Sequence, residues 1–334
     1  MRNIFVARAF KEDANAQAWS FRESGVVELN YGFTSAAMIY ATTYCHFYDA
    51  MATTANDVDF SDDDTEVLSM ILEEIENGAF EPILVAENLR SDWRESGRIY
   101  AAHPALLELP KSRNPSQYHN LVRTIEEFAI AHELSHHMLG HTESALRRRV
   151  QVSSAVQEWL DRSGSREVCN NLNPDQIQEI EADIGAFLLV SGVLSNQATH
   201  GRIYNGVAGS MLALIALGHI SENWISDNAP EKTHPGFIDR YDVMCRVVRE
   251  LTLPLPQGSI GDHPLGFLLH FQGFISIVVQ FWQSRAKAEM KDPHFLNIFS
   301  WMLDRAVELE EELKSGASPV PGNAQSGIQK GSQS

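Results

Sequence analysis

Residues 115–141 read PSQYHNLVRTIEEFAIAHELSHHMLGH, and no other stretch constrains this chain as strongly. Leu121, Ile125, Phe128, Ala129, His132, His136 and Leu139 recur at i, i+3 and i+4 spacing. That spacing draws one apolar stripe along a helix. Asn114, Pro115 and Gln117 supply a start signal: an N-cap, a first-position proline and a glutamine at the third position. Gly140 supplies the stop. Two histidines therefore fall on the buried face one turn apart, where both imidazoles reach one metal ion. Glu133 is turned about 100° from His132 and reaches a water at that ion. Two buried imidazoles without a metal would need other partners for their ring nitrogens. His137 and His141 also stand four apart, but no glutamate follows His137. They are expected to face solvent or to support the site from behind.

HExxH alone arises by chance in about a few per cent of chains of this length and composition. A second stretch raises its specificity. NPDQIQEIEADIGAFLLV (173–190) opens with Asn173, Pro174 and Gln176, the same start signal. Glu179, Ala182, Asp183 and Ala186 share one face of that helix. Two alanines suit close helix packing, and Glu179 then reaches the metal. A catalytic zinc takes three protein ligands and leaves its fourth position open, so Glu179 completes the set. Asp183, one turn on, accepts a hydrogen bond from a ligand imidazole and fixes its tautomer. Glu181 is expected to point to the opposite side.

A third stretch is THPGFIDR (233–240). Pro235 suits a first helical position, which puts His234 at the N-terminal edge and Arg240 nearly two turns along. Both are donors suited to a developing oxyanion. Tyr204 and Tyr241 are the next candidates for that role.

HExxH, then EIEAD, then THPGFIDR, in this order, resembles the gluzincin metallopeptidases. The likeness is greatest to the CAAX prenyl protease and its bacterial heat-shock and envelope quality-control relatives, where HELSHHMLGH has near-copies. It covers residues 125–245, about a third of the chain. The resemblance implies one zinc ion at His132, His136 and Glu179, with Glu133 as general base. It points to the same His234 and Arg240.

Composition excludes other classes. The chain carries 44 acidic against 26 basic residues, a formal charge of −18, and so repels phosphate backbones and anionic lipid surfaces. No nucleic-acid partner is expected. Three cysteines without a CxxC pair fit reduced thiols and a cytoplasmic protein. The first residues lack the apolar run of a secretory signal. No membrane span is expected either. Residues 207–220 are too short for roughly 30 Å of hydrocarbon. Residues 265–282 are interrupted by His270, Gln272 and Gln280.

The predicted fold is mainly α (α+β): a zincin-like helical core with a small β-sheet beside the active-site helix. Residues 1–110 form a mixed α/β region. It holds a strand in GVVELNYGF (25–33), a helix over 35–51, a helix through Val67–Ile75, and strands at 81–88 and 97–103. The acidic run at 56–66 lacks the spacing of a calcium loop and reads as a solvated helix entry. GRIYAAH (97–103) is the candidate to pair with substrate backbone. Residues 111–314 form the helical catalytic core. Residues 315–334 are too polar and Pro/Gly-rich to fold. The expected function is zinc-dependent endopeptidase action on a peptide or protein. The alternatives are a catalytically silent zinc module that binds a partner and a metal-free helical scaffold. Glu133 argues against the first, because a structural site has no use for a base. Three ordered motifs argue against the second.

Overall fold

The computed structural model describes residues 4–11, 15–21, 24–57, 115–142, 150–221 and 232–251, together with 271, 274 and 275. Within these the protein is mainly helical with one three-stranded sheet. The helix at 67–75, the strands at 81–88 and 97–103, most of the 265–282 segment and the 315–334 tail lie outside the described residues.

The sheet comes from the first thirty residues. Its strands are β1 (Ile4–Ala9), β2 (Ala16–Phe21) and β3 (Ser24–Asn30), in the order β1-β3-β2. β1 runs parallel to β3 and β2 antiparallel to it. Alternation is clearest in β3. Gly25, Val27 and Leu29 are buried, whereas Val26 and Glu28 turn partly outward. Among the described residues, β1 and β2 are the two terminal strands of this sheet. The expected strand at 25–33 ends earlier, because the chain turns into helix α1 (Tyr31–Asp57) at Tyr31. Ala36, Ala37 and Ala41, buried with Phe33, Tyr40 and Tyr44 at helical spacing, favour that longer helix.

Helix α2 (Pro115–Leu139) is the centre of the molecule. It packs against α1, the sheet, and helices α3 (Val150–Arg162), α5 (Pro174–Val190) and α6 (His200–Ser221). The short α4 (Arg166–Cys169) links α3 to α5, and α7 (Phe237–Arg249) closes the bundle beside α5 and α6. The predicted stripe is buried at Leu121, Ile125, Phe128, Ala129, His132 and Leu139, while its remaining member, His136, is partly buried. Residues 207–216 lie in α6, and all are buried. No helix among the described residues is long and apolar enough to cross a membrane.

Two close approaches bring α5 and α6 onto α2. A Cβ on Gly185 would lie 2.7 Å from Ser135 Oγ, and one on Gly209 would lie 2.6 Å from the Thr124 carbonyl. Neither position has room for a side chain. The first approach sets the acidic face of α5 against the histidines of α2.

Candidate metal centre

Local sequence places each wall of the site. Asn173 accepts from the Gln176 amide at 2.9 Å, and Gln176 Oε1 accepts from the Asn173 amide at 3.0 Å. This reciprocal cap and Pro174 fix the start of α5. The Asn173 side-chain Nδ2 donates to the Lys232 carbonyl at 3.0 Å, which tethers the segment leading to His234. At the end of α2, Gly140 adopts φ +82° and stops the helix. His137, buried rather than solvent-facing, bonds the Val26 carbonyl at 3.0 Å and Thr142 Oγ1 at 3.0 Å, locking α2 to the sheet.

His132, His136 and Glu179 converge. His132 Nε2 lies 3.2 Å from His136 Nε2 and 3.1 Å from Glu179 Oε2. His136 Nε2 lies 3.4 Å from Glu179 Oε1. A tetrahedral ion with bonds of about 2.0–2.1 Å needs ligand atoms about 3.3 Å apart. The edge between the two imidazoles matches, and each imidazole has one Glu179 oxygen near that distance, Oε2 for His132 and Oε1 for His136, so this group could hold a metal ion.

The ring nitrogens facing away from that centre are engaged. His132 Nδ1 is 2.9 Å from Asp183 Oδ1. Asp183 accepts twice from the Arg240 guanidinium, at 2.7 Å on each oxygen. Asp183 is fully buried and Arg240 nearly so. His136 Nδ1 is 3.1 Å from His141 Nδ1, and His141 Nε2 is 2.9 Å from Glu181 Oε2. Glu181 was expected on the far side of α5; it stands two links behind His136 instead, beyond His141.

Charge follows this geometry. Burial alone would lower the His132 imidazolium. Hydrogen bonds and charges from Asp183 and Glu179 outweigh it and push its pKa up to about 10. Burial and then the His132 charge drive His136 down to about 3. Burial raises both partner carboxyls, yet both end well below the usual carboxylate range. His132 is the main counterweight for Glu179, and Arg240 is for Asp183. Glu133 behaves differently. Burial pushes its carboxyl up to about 7, against the opposing charge of His132 and the donated N–H of Ala18 in β2.

The group opens into a cleft of about 590 Å³. Ala16–Ser20 of β2 form one wall, and Glu133, His136, Glu179 and His234 line the floor and far side. Among the described residues the strand beside the site is β2; GRIYAAH lies outside them. β2 had little signal, because its inward positions are Ala16, Ala18 and Ser20.

THPGFIDR divides. Helix α7 begins at Phe237 with Gly236 as N-cap, so Pro235 stands outside it. His234 lies at the cleft, half exposed, with Nε2 3.4 Å from Glu179 Oε2 and Nδ1 2.8 Å from Thr233 Oγ1. Arg240 does not reach the cleft. It is placed behind Asp183, since a fully buried carboxylate needs a counter-charge. Tyr204 and Tyr241 do not line the cleft either. Tyr241 stacks on Phe237 and Tyr204 packs toward Phe271.

No family model, curated protein or solved structure matches the chain.

Proposed function

We propose that the protein is a zinc-dependent endopeptidase of the gluzincin type, with His132, His136 and Glu179 as ligands and Glu133 as general base. One observation carries the reading. A carboxyl with no place in the ligand set sits in the same cleft, beside a terminal strand, with a pKa near neutrality. A structural metal site has no use for such a group, whereas a hydrolase needs it. The donor set of two imidazoles and one carboxylate, with ligand atoms within 4.8 Å of one another, suits zinc. When bound, zinc supplies a Lewis acid for the scissile carbonyl and acidifies a water.

The chain's own residues do the rest. Glu133 takes the proton from the attacking water on its carboxylate and delivers it to the leaving amine. His234 Nε2 is the donor at the cleft for the oxyanion that develops on the carbonyl. β2 offers backbone groups along the cleft to an extended peptide. Asp183 and Arg240 hold His132 in place and stay out of the reaction.

The test uses purified full-length protein with added zinc and a mixed peptide library read by mass spectrometry. The parent is expected to hold about one zinc per chain and to cleave. Glu133→Gln is expected to keep the zinc and lose about 10²–10⁴ in rate. Equal cleavage by the variant removes Glu133 from the base role. No bound metal in the parent removes the whole reading.

A further inference from the structure

His136 is supported by an unusual acceptor. A metal-ligating histidine ordinarily donates its second N–H to a carboxylate, a carbonyl or a water. Here the partner is a second imidazole. Gly140, at φ +82°, folds the chain back so that the His141 amide bonds the His136 carbonyl at 2.9 Å. The two rings then stand nearly perpendicular, with centroids 5.2 Å apart and Nδ1 facing Nδ1 at 3.1 Å.

From His141 the bonds continue in a line. Its Nε2 meets Glu181 Oε2 at 2.9 Å. Glu181 Oε1 accepts from Gln157 Nε2 at 2.6 Å, and Gln157 Oε1 accepts from the Arg166 guanidinium at 2.8 Å. Arg166 is held in turn by Asp161. With both imidazoles neutral and His136 Nε2 lent to the metal, one polarity satisfies every contact of this line. A carboxylate only accepts, so His141 Nε2 carries a hydrogen. The other nitrogen of a neutral imidazole accepts, so His141 Nδ1 receives the hydrogen on His136 Nδ1. The lone pair of His136 is then left on Nε2, the atom that faces His132 and Glu179.

We infer that His141 and Glu181 are positioning residues that hold His136 in its Nδ1–H tautomer and aim its Nε2 at the metal. The inference rests on the metal-binding reading of the site, and it adds two residues to it. A competing account makes the His141–Glu181 bond a simple staple between the end of α2 and α5.

Asn and Leu at position 141 separate the two. Asn Oδ1 stands where His Nδ1 stood and still accepts; Leu has similar bulk and no acceptor. Zinc affinity is measured by competition with a chelator. The protonated nitrogen of His136 is read by ¹⁵N NMR on metal-free protein, with His136→Gln to assign the signal. His141→Leu is expected to bind zinc about 10–100-fold more weakly and to release His136 from the Nδ1–H tautomer. His141→Asn is expected to restore most of both. Glu181→Ala, which keeps the His141 ring, is expected to shift both readouts the same way by less, and it stands in if His141→Leu does not fold. Parent-like affinity and an unchanged His136 tautomer in His141→Leu overturn the inference. So does an equal loss in Leu and Asn, which is the mark of a staple. A parent that binds zinc with these differences but cleaves nothing overturns the endopeptidase reading and leaves this inference standing.

Discussion

His132 and His136 stand one turn apart on α2, yet the molecule supports them with different materials. Behind His132 lies an ion pair, with Asp183 at 0% side-chain exposure and Arg240 at 9%. Behind His136 the bonds run outward, from His141 at 8% and Glu181 at 17% to Arg166 at 50% and Asp161 at 61%. The inner support is short, charged and dry. The outer one is longer, starts as an imidazole pair and ends in water. A buried charge that loses its partner is costly, whereas exposed pairs contribute little. Removing the inner support should therefore damage folding and metal binding together. Removing the outer one should affect metal binding and leave folding nearly intact.

Arg240→Met is the sharpest way to break this contrast. It leaves Asp183 buried against His132 alone and is expected to lower unfolding free energy by about 3–5 kcal/mol. Thermal melting of metal-free protein measures the loss. Changing both partners, as Asp183→Asn with Arg240→Met, should recover part of it, because no uncompensated charge remains. An Arg240→Met protein that melts with the parent would mean the inner support is no more than a surface contact.

His234 tests the same contrast from the cleft side. It shares the THPGFIDR segment with Arg240 but has a half-exposed side chain, 3.4 Å from Glu179 Oε2 at the cleft. His234→Ala is expected to keep the parent's melting temperature and zinc content. Its loss should fall on kcat, by about 10²–10³, the range for a single oxyanion donor. Full turnover in this variant would place the donor elsewhere in the cleft.

Much of the inner support was legible in the sequence, and little of the outer one. Periodicity and end signals placed α2 and α5, and the Glu179–Asp183 spacing on α5 turned both carboxylates toward α2. Both statements depend on helical geometry alone. Arg240 was readable as a member of a motif, but its direction depends on where α7 begins. Phe237 rather than Pro235 is the first helical residue, with Gly236 as its N-cap, and the arginine turns inward to the buried Asp183. A rule that every buried carboxylate needs a counter-charge would have found that pair. The outer support hinges on one left-handed glycine, which swings His141 under His136 and within reach of Glu181. Nothing in helical periodicity carries the chain past Gly140. The sheet was expected near the site helix, yet its wall strand β2 went unread. Its inward side chains are too small to write an alternating pattern.

Proton release on metal binding gives the finest measure of the difference. In the metal-free protein His132, raised to about 10, holds an extra proton between Asp183 and Glu179, whereas His136, lowered to about 3, holds none. A ligand imidazole has to be neutral, so the ion displaces one proton from the inner side and none from the outer. The sign follows. Below the raised pKa each unit of falling pH costs about tenfold in zinc affinity, roughly 1.4 kcal/mol, and the dependence levels off only as pH rises toward 10. Glu133, raised to about 7, would add its own proton in the neutral range, so the measurement belongs in Glu133→Gln. Chelator competition across about pH 6–8 should then give a slope near one proton per zinc. Asp183→Asn removes one of the charges that hold the His132 proton and should flatten that slope, while His141→Asn should leave it unchanged. A flat profile in Glu133→Gln would mean that His132 is already neutral, and the two sides would then differ in burial alone.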